Sequence, residues 1–430
     1  MLEVGTELTL GDPRRSCVLK RFIGEGSQGS VYAVEVGPAR EPAALKWYFP
    51  RMATGGQRQI IADLIDRGAP NGCFLWPSEL VDVATEAGFG YLMPLRPESY
   101  AGLADLLTGK VDVPFSVVCT LGMELAGSFL ALHSEGLCYR DISFGNVFFD
   151  PATGRPLICD NDNVGVDGVS PSFVLGTRRF MAPEIVRREA GPSTATDLYS
   201  LSVLLFYLLI VGHPLVGRRE LDFPTWDDRA ESVLFGQDPV FVFNPSDARN
   251  QPLDDLHGSV LTNWGIYPEH VRRLFTTAFT TGLTDARNGR VRESVWRAAM
   301  AHLRDSIMRC DNCGKENFWE PGVERRCWFC DHRPADPVRL EIEGRALVLS
   351  AGTVVYPHHL ARNYDFSAPV GVVAAHPSRP DRWGLRNDSA TAWQVVLPAG
   401  DHVVAEPGRS VGLLPGTTLR IGNVSARIVR

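Results

Sequence analysis

Apolar and polar positions follow three successive patterns along this chain. From about Leu19 to Met93 short apolar runs alternate with polar breaks. Arg21–Ile23, Ser30–Val36 and Ala43–Tyr48 read as strands, the first two joined by glycines. Within this region Ile60, Ile61, Leu64 and Ile65 fall at helical spacing, predicting a half-buried helix over Gln57–Arg67 that Gly68 and Pro70 end. From Leu103 to Leu303 the helical period dominates. Ser116–Leu132 is amphipathic, whereas Thr196–Val211 is apolar almost all round and belongs inside a large core. Residues 217–258, rich in Asp, Pro, Gly and Arg, read as an insertion between helices. After Pro334 and Pro337 about ten short strand-like runs follow, separated by turn residues.

Composition narrows the class. The chain has 430 residues, a formal net charge of −7 and 22% charged residues, the balance of a globular protein with two or three domains. No Lys/Arg block is present, so nucleic acid is not expected as a partner. The N-terminus lacks the basic and apolar regions of a signal peptide. The apolar run Leu201–Val211 is too short to span a bilayer, so no membrane association and a cytoplasmic location are expected. The last 93 residues contain ten arginines, seven acids and no lysine, which leaves −10 on the first 337.

Candidate chemistry is concentrated in an ordered series of motifs. Gly24, Gly26, Gly29 and Val31 form a GxGxxGxV run. A dinucleotide-binding turn has similar glycines but leads into a helix; here strand-like runs flank both sides, as in a hairpin lid over phosphates. Lys46 ends an apolar strand, where its ammonium can hold phosphates. Asp141 and, five residues on, Asn146 have the spacing of a carboxylate that accepts a hydroxyl's hydrogen bond and an amide oxygen that binds a metal. Leu157–Cys159 ends in Asp160, placed to bridge Mg²⁺ and phosphates; Met181–Glu184 and Asp197 follow.

In that order, residues from about 17 to 305 resemble the eukaryotic-like Ser/Thr protein kinases of bacteria. The resemblance implies an α+β, two-lobed kinase domain over 1–305, with an N-lobe over about 17–93 and a C-lobe over about 97–305. It implies ATP and Mg²⁺ as cofactors and a protein hydroxyl as acceptor. Gly24, Gly26, Gly29 and Val31 would cover the nucleotide, Lys46 would hold the α- and β-phosphates, and Met93 to Arg96 would form the hinge that meets adenine. Asp141 would be the catalytic base, Asn146 and Asp160 the Mg²⁺ ligands, and Glu184 would pair with Arg290. Thr177 would face the substrate, favouring Ser/Thr acceptors. Phe74–Pro77, Tyr91–Pro94 and Asp160–Asn163 look most like a subgroup encoded beside a PP2C-type phosphatase and a von Willebrand A-domain protein, including in tellurite-resistance clusters, and this implies those two partners.

Departures from the family pattern carry information. Tyr139 replaces a packing histidine, and Asp160-Asn161-Asp162 keeps the metal acid but not the Phe and Gly that let this segment switch. Asp162 is itself a possible second metal ligand. Ser143 stands where a lysine usually steadies the transferred group, removing a positive charge. No glutamate occurs between Glu41 and Glu79, so Gln57, Gln59 or Asp63 would have to orient Lys46, and slow turnover is expected. The alternative to an active kinase is a nucleotide-binding pseudokinase acting as a scaffold. Arg140 is expected to receive a phosphate on Ser170 or Ser172, helped by Arg178 or Arg179. His133 is expected as a satisfied core histidine and His213 as a cap on the buried helix.

Cys310, Cys313, Cys327 and Cys330 form two CxxC pairs thirteen residues apart. This spacing predicts a structural Zn²⁺ ribbon over 306–334 in preference to two adjacent redox pairs. Residues 338–430 are expected to form an all-β sandwich. Trp383–Asn387 and Gly416–Gly422 weakly resemble FHA-type sandwiches, which bind phosphothreonine, but that family's Ser-x-x-His site has no counterpart, so docking or packing is the favoured role.

Overall fold

The computed structural model describes residues 2–10, 15–82, 88–169 and 175–430, which fall into two compact units. The first comprises Met1–Val113, Val117–Trp264 and Arg272–Met300. Its N-terminal lobe is a six-stranded antiparallel sheet: β1 (Glu7–Thr9), β2 (Ser16–Glu25), β3 (Gly29–Val36), β4 (Glu41–Tyr48), β5 (Glu79–Asp82) and β6 (Phe89–Pro94), in the order β1-β2-β3-β4-β6-β5. Alternation places Leu19, Val34, Leu45 and Leu92 in one core. Leu2, Leu8 and Leu10 join it, and β1 pairs with Ser16–Val18 of β2. The lobe therefore starts well before residue 17, because β1 is too short to stand out in the sequence.

Helix α1 (Gly55–Arg67) begins where the Thr54 hydroxyl accepts the Gln57 amide and stops at Gly68, whose positive φ no side chain favours. Ile61 and Leu64 are buried while Ile60 faces outward, as the half-buried pattern requires. In the C-terminal lobe the helix Thr194–Ile210 is sheathed on nearly every face and opens with a reciprocal Ser193/Thr196 capping box. The helix Phe115–Ser134 is long and apolar enough to cross a membrane by length and composition, but 61% of that stretch is buried in protein. Residues 217–258, expected as an insertion between helices, contribute Leu234, Phe235, Val240, Phe241 and Val242 to the interior.

The second unit comprises Pro114–Ser116, Gly265–Val271 and Ala301–Arg430. Strands Ile307–Arg309 and Glu316–Phe318 pair beside the four cysteines. The tail then forms ten strands in two antiparallel sheets, six-stranded and four-stranded, within Arg339–Val429. Leu340, Trp393 and Leu419 from one sheet and Val373, Leu385 and Val411 from the other share one core, so the sheets face each other as a sandwich.

Candidate active site

A cleft of about 470 Å³ lies between the two lobes of the first unit. Its roof is the turn joining β2 to β3. Gly24, Gly26, Gly29 and Val31 line it, and a Cβ added at Gly24 or Gly26 would meet no protein atom within 4 Å. Gly29 differs: a Cβ there would sit 2.2 Å from the Trp47 carbonyl oxygen, so the close β3–β4 approach requires glycine. Two of the three glycines thus leave open space above the cleft. At the tip of the turn the Gln28 side-chain amide donates to the Asn163 side-chain oxygen at 3.0 Å. Met93, Pro94, Leu95 and Arg96 line the inner wall, and the Arg96 guanidinium lies 4.1 Å above the Phe148 ring centroid.

Lys46 projects from the middle of the sheet, opposite Val31 on β3 and Tyr91 on β6. Its side chain is 6% exposed, and its ammonium is held by two carboxylates: Asp162 at 2.8 Å and Asp160 at 3.3 Å. Burial opposes the charged amine, but Asp162 and then Asp160 outweigh it and hold the group above its ordinary range. Asp162 is fully buried, accepts the Tyr48 hydroxyl as well and does not line the cleft, so the structure gives its carboxylate to Lys46 and Tyr48 and not to the cleft where a second metal ligand was expected. Gln57 donates to the Tyr48 hydroxyl (3.1 Å) and to the Asp162 backbone oxygen (3.2 Å), not to Lys46. Gln59 and Asp63 bond to each other on the exposed face of α1. The expected stand-ins on α1 are therefore not the partner; the acid comes from the opposite lobe.

The segment carrying both acids is pinned. Asp160 sits in the left-handed region (φ 52°) and opens a 3-10 turn over Asn161–Asn163. The buried Asn161 amide donates to the Leu75 and Ile158 carbonyls at 2.9 and 3.0 Å. These fixed partners offset the roughly 1 kcal/mol that a left-handed non-glycine residue costs.

On the floor, the Asp197 carboxylate accepts the backbone N–H groups of Tyr139 and Arg140, fixing the loop that carries Asp141 and Asn146. Asn146 donates its amide nitrogen to Asp141, at 2.9 Å to the backbone oxygen and 3.3 Å to the carboxylate, which leaves its amide oxygen as the end suited to a cation. Asp141 accepts the Thr177 hydroxyl and backbone N–H at 2.8 and 2.7 Å. Burial raises the Asp141 carboxyl above its usual range, and these hydrogen bonds only partly oppose it. His133 contacts Asp197 through Nε2 at 3.1 Å and Glu293 through Nδ1. Arg290 lies 2.8 Å from Glu184 and also donates to the Ala195 carbonyl.

Several sequence expectations resolve differently. Ser170 and Ser172 lie outside the described residues. Arg178 is engaged by Glu231, Ser232 and the Asp228 carbonyl, and Arg179 lies over the Trp226 ring, so neither is an idle phosphate clamp. Arg140 has a positive φ and donates to the Val169 carbonyl at 3.4 Å. His213 does not cap the helix, which ends at left-handed Val211; it bridges the Arg179 carbonyl and the Leu215 amide instead. Burial pushes its pKa down to about 3, so it serves as a neutral bridge.

In the second unit the ligand atoms of Cys310, Cys313, Cys327 and Cys330 all lie within 4.8 Å of one another. The two knuckles are built alike: the N–H four residues on folds back to Cys310 and Cys327, through Gly314 and Asp331, both at positive φ. Asn312 and Asn317 donate to the sulfurs of Cys330 and Cys327. Four converging sulfurs with amide donors suit a tetrahedral ion such as Zn²⁺ and leave no open coordination position.

Residues 91–237 match the family described as protein kinase domain. The chain therefore carries a protein kinase domain, and Ser/Thr kinases are among its relatives. Protein kinase MCK1 of Saccharomyces cerevisiae is 29% identical over 150 residues, 34% of this chain and 39% of that protein. Protein kinase gsk3 of Schizosaccharomyces pombe is 24% identical over 198 residues, 45% of this chain and 51% of the relative. Serine/threonine-protein kinase PknK of Mycobacterium bovis is 33% identical over 103 residues, 23% of this chain and 9% of its length. The chain thus spans at most about half the length of these relatives. The family match begins inside β6, so the glycine turn and Lys46 lie outside the matched residues.

Proposed function

We propose that the chain is an ATP- and Mg²⁺-dependent protein kinase that phosphorylates Ser or Thr hydroxyls of protein substrates. One observation carries this reading: Lys46, Asp160, Asp141 and the glycine turn line a single cleft, with Asn146 bonded to Asp141. When bound, MgATP supplies the phosphoryl group and the cation's charge. Lys46 would hold the phosphates, Asp160 and the Asn146 oxygen would hold the cation, and Asp141, whose carboxyl burial raises above its usual range, would accept the hydroxyl proton. Thr177, against Asp141, supports a Ser/Thr acceptor at that site. An idle nucleotide-binding scaffold is less favoured, because the base, the lysine and the metal ligands are all present.

The four cysteines support a structural Zn²⁺ ribbon, and the two-sheet tail is read as an FHA-like sandwich used for docking. A PP2C-type phosphatase and a von Willebrand A-domain protein are the proposed partners, in a cytoplasmic signalling system. The test is incorporation of ³²P from [γ-³²P]ATP by wild type, Asp141→Asn and Lys46→Ala. Incorporation that both substitutions reduce by at least tenfold supports the kinase. MgATP binding without incorporation above the variants would establish the scaffold instead.

A further inference from the structure

We propose that Asp162 is the positioning residue for Lys46, taking over from within the metal-binding segment a task that the sequence gives no glutamate of α1 to perform. The proposal deepens the kinase reading and rests on it. Lys46 is nearly enclosed, and its nearer carboxylate is Asp162 at 2.8 Å; Asp160 stands at 3.3 Å and is 44% exposed toward the cleft. The two acids divide their work by direction. Asp160 faces the cleft, where a cation belongs, whereas Asp162 is fully buried and lies outside the cleft lining.

The surroundings of Asp162 serve one geometry. Its carboxylate accepts the Tyr48 hydroxyl, which lies on the same strand face as Lys46, two residues along β4. Gln57 supports that hydroxyl and the Asp162 backbone oxygen with its neutral amide. Helix α1 therefore reaches the ion pair only from behind and contributes no charge to it. Asn161 fixes the same turn to the Leu75 and Ile158 carbonyls. A shift of α1 would strip away Gln57 but leave Lys46 bound to Asp162, so the lysine and the metal acid are set together by one rigid turn.

The experiment uses full-length wild type, Lys46→Ala, Asp162→Asn, the double variant Lys46→Ala/Asp162→Asn, Asp162→Asn/Gln57→Glu and the outward-facing control Gln59→Ala. Each is measured for kcat/KM toward ATP in autophosphorylation, for MgATP affinity by calorimetry and for thermal stability. Asp162→Asn should lose on the order of a hundredfold in kcat/KM, the double variant should be no worse than the poorer single, and Gln59→Ala should stay within twofold, because groups acting as a unit are non-additive. Glu at position 57 should restore at least tenfold to Asp162→Asn by returning a carboxylate from α1, a rescue that a merely structural role does not predict. Activity of Asp162→Asn within twofold of wild type, or multiplicative losses in the double variant, overturns the proposal. If wild type itself transfers no phosphate, the kinase reading fails, and the same cycle in MgATP affinity still decides: non-additive weakening supports Asp162 and additive weakening refutes it. Should Asp162→Asn not fold, Tyr48→Phe takes its place in the cycle and should lose at least threefold in MgATP affinity, with no loss counting against the proposal.

Discussion

Replacing His133 by Gln tests the ionic support beneath the loop that carries Asp141. The imidazole is 5% exposed and lies between the carboxylates of Asp197 and Glu293. Burial disfavours the charged ring, but the hydrogen bonds to Asp197 and Glu293 and their charges prevail, pushing its pKa up from 6.5 to about 9. A group raised on folding contributes stability that is complete below the unfolded value and is lost as pH rises through the folded one. The window is therefore about pH 6.5 to 9. A gap of about 2.5 at 1.36 kcal/mol per pH unit gives wild type an excess loss of roughly 3 kcal/mol across it. His133→Gln should lack this pH-dependent loss. It should also be less stable at pH 6 by about 3–5 kcal/mol, because two buried acids then face each other without a cation. Urea unfolding followed by far-ultraviolet circular dichroism reads the first unit, which holds nearly all the helix. Cys17 and Cys138, which burial pushes up to about 11, also cost stability at alkaline pH but do so equally in both proteins. The difference between the two curves isolates His133. Parallel curves from pH 6 to 9 would refute the reasoning.

Three further outcomes follow from contacts described above. Gly29→Ala should cost about 1–3 kcal/mol by forcing β3 from β4, whereas Gly24→Ala should leave the melting temperature within about 2 °C yet weaken MgATP binding; equal melting losses would contradict this. Arg290→Ala strands Glu184 and the Ala195 carbonyl and should cost about 3–5 kcal/mol in urea unfolding, with a loss under about 1 kcal/mol counting against it. Metal analysis should find one zinc per chain in wild type and a substoichiometric amount in Cys327→Ser, and chelation should perturb the Trp328 environment; metal-free wild type with native spectra would remove the ribbon assignment.

What the sequence made legible was chemistry fixed by short spacing. The glycine turn, the Asp141/Asn146 loop and the paired CxxC knuckles each need their residues within a few positions, so the motif and the geometry coincide. Of the two major helices, Phe115–Ser134 was legible from its 3.6-residue period and Thr194–Ile210 from an apolar run too long for a strand. Long-range pairings were not. Asp162 is 116 residues from Lys46, and Glu293 is 160 from His133, with no local pattern to announce either pair. The residues of α1 at pairing distance in sequence, Gln57, Gln59 and Asp63, are neutral or face outward. Tyr48 carried no signal either, since a tyrosine at the end of a strand is ordinary packing until its hydroxyl is seen on Asp162. Strand β1 escaped because three residues cannot display alternation.

The turn over Asn161–Asn163 bears on inhibitor selectivity. A compound that needs this segment swung outward must first break the Asp162 pair with Lys46 and two buried hydrogen bonds of Asn161. At about 1.5–3 kcal/mol for the charged contact and about 1 for each neutral one, the displaced form lies roughly 4 kcal/mol above the resident form. Near one molecule in a thousand would then be receptive, and such a compound forfeits about a thousandfold of its intrinsic affinity. Ligands that fill the cleft with the turn in place carry no such penalty, so chemical probes for this protein are best drawn from that class.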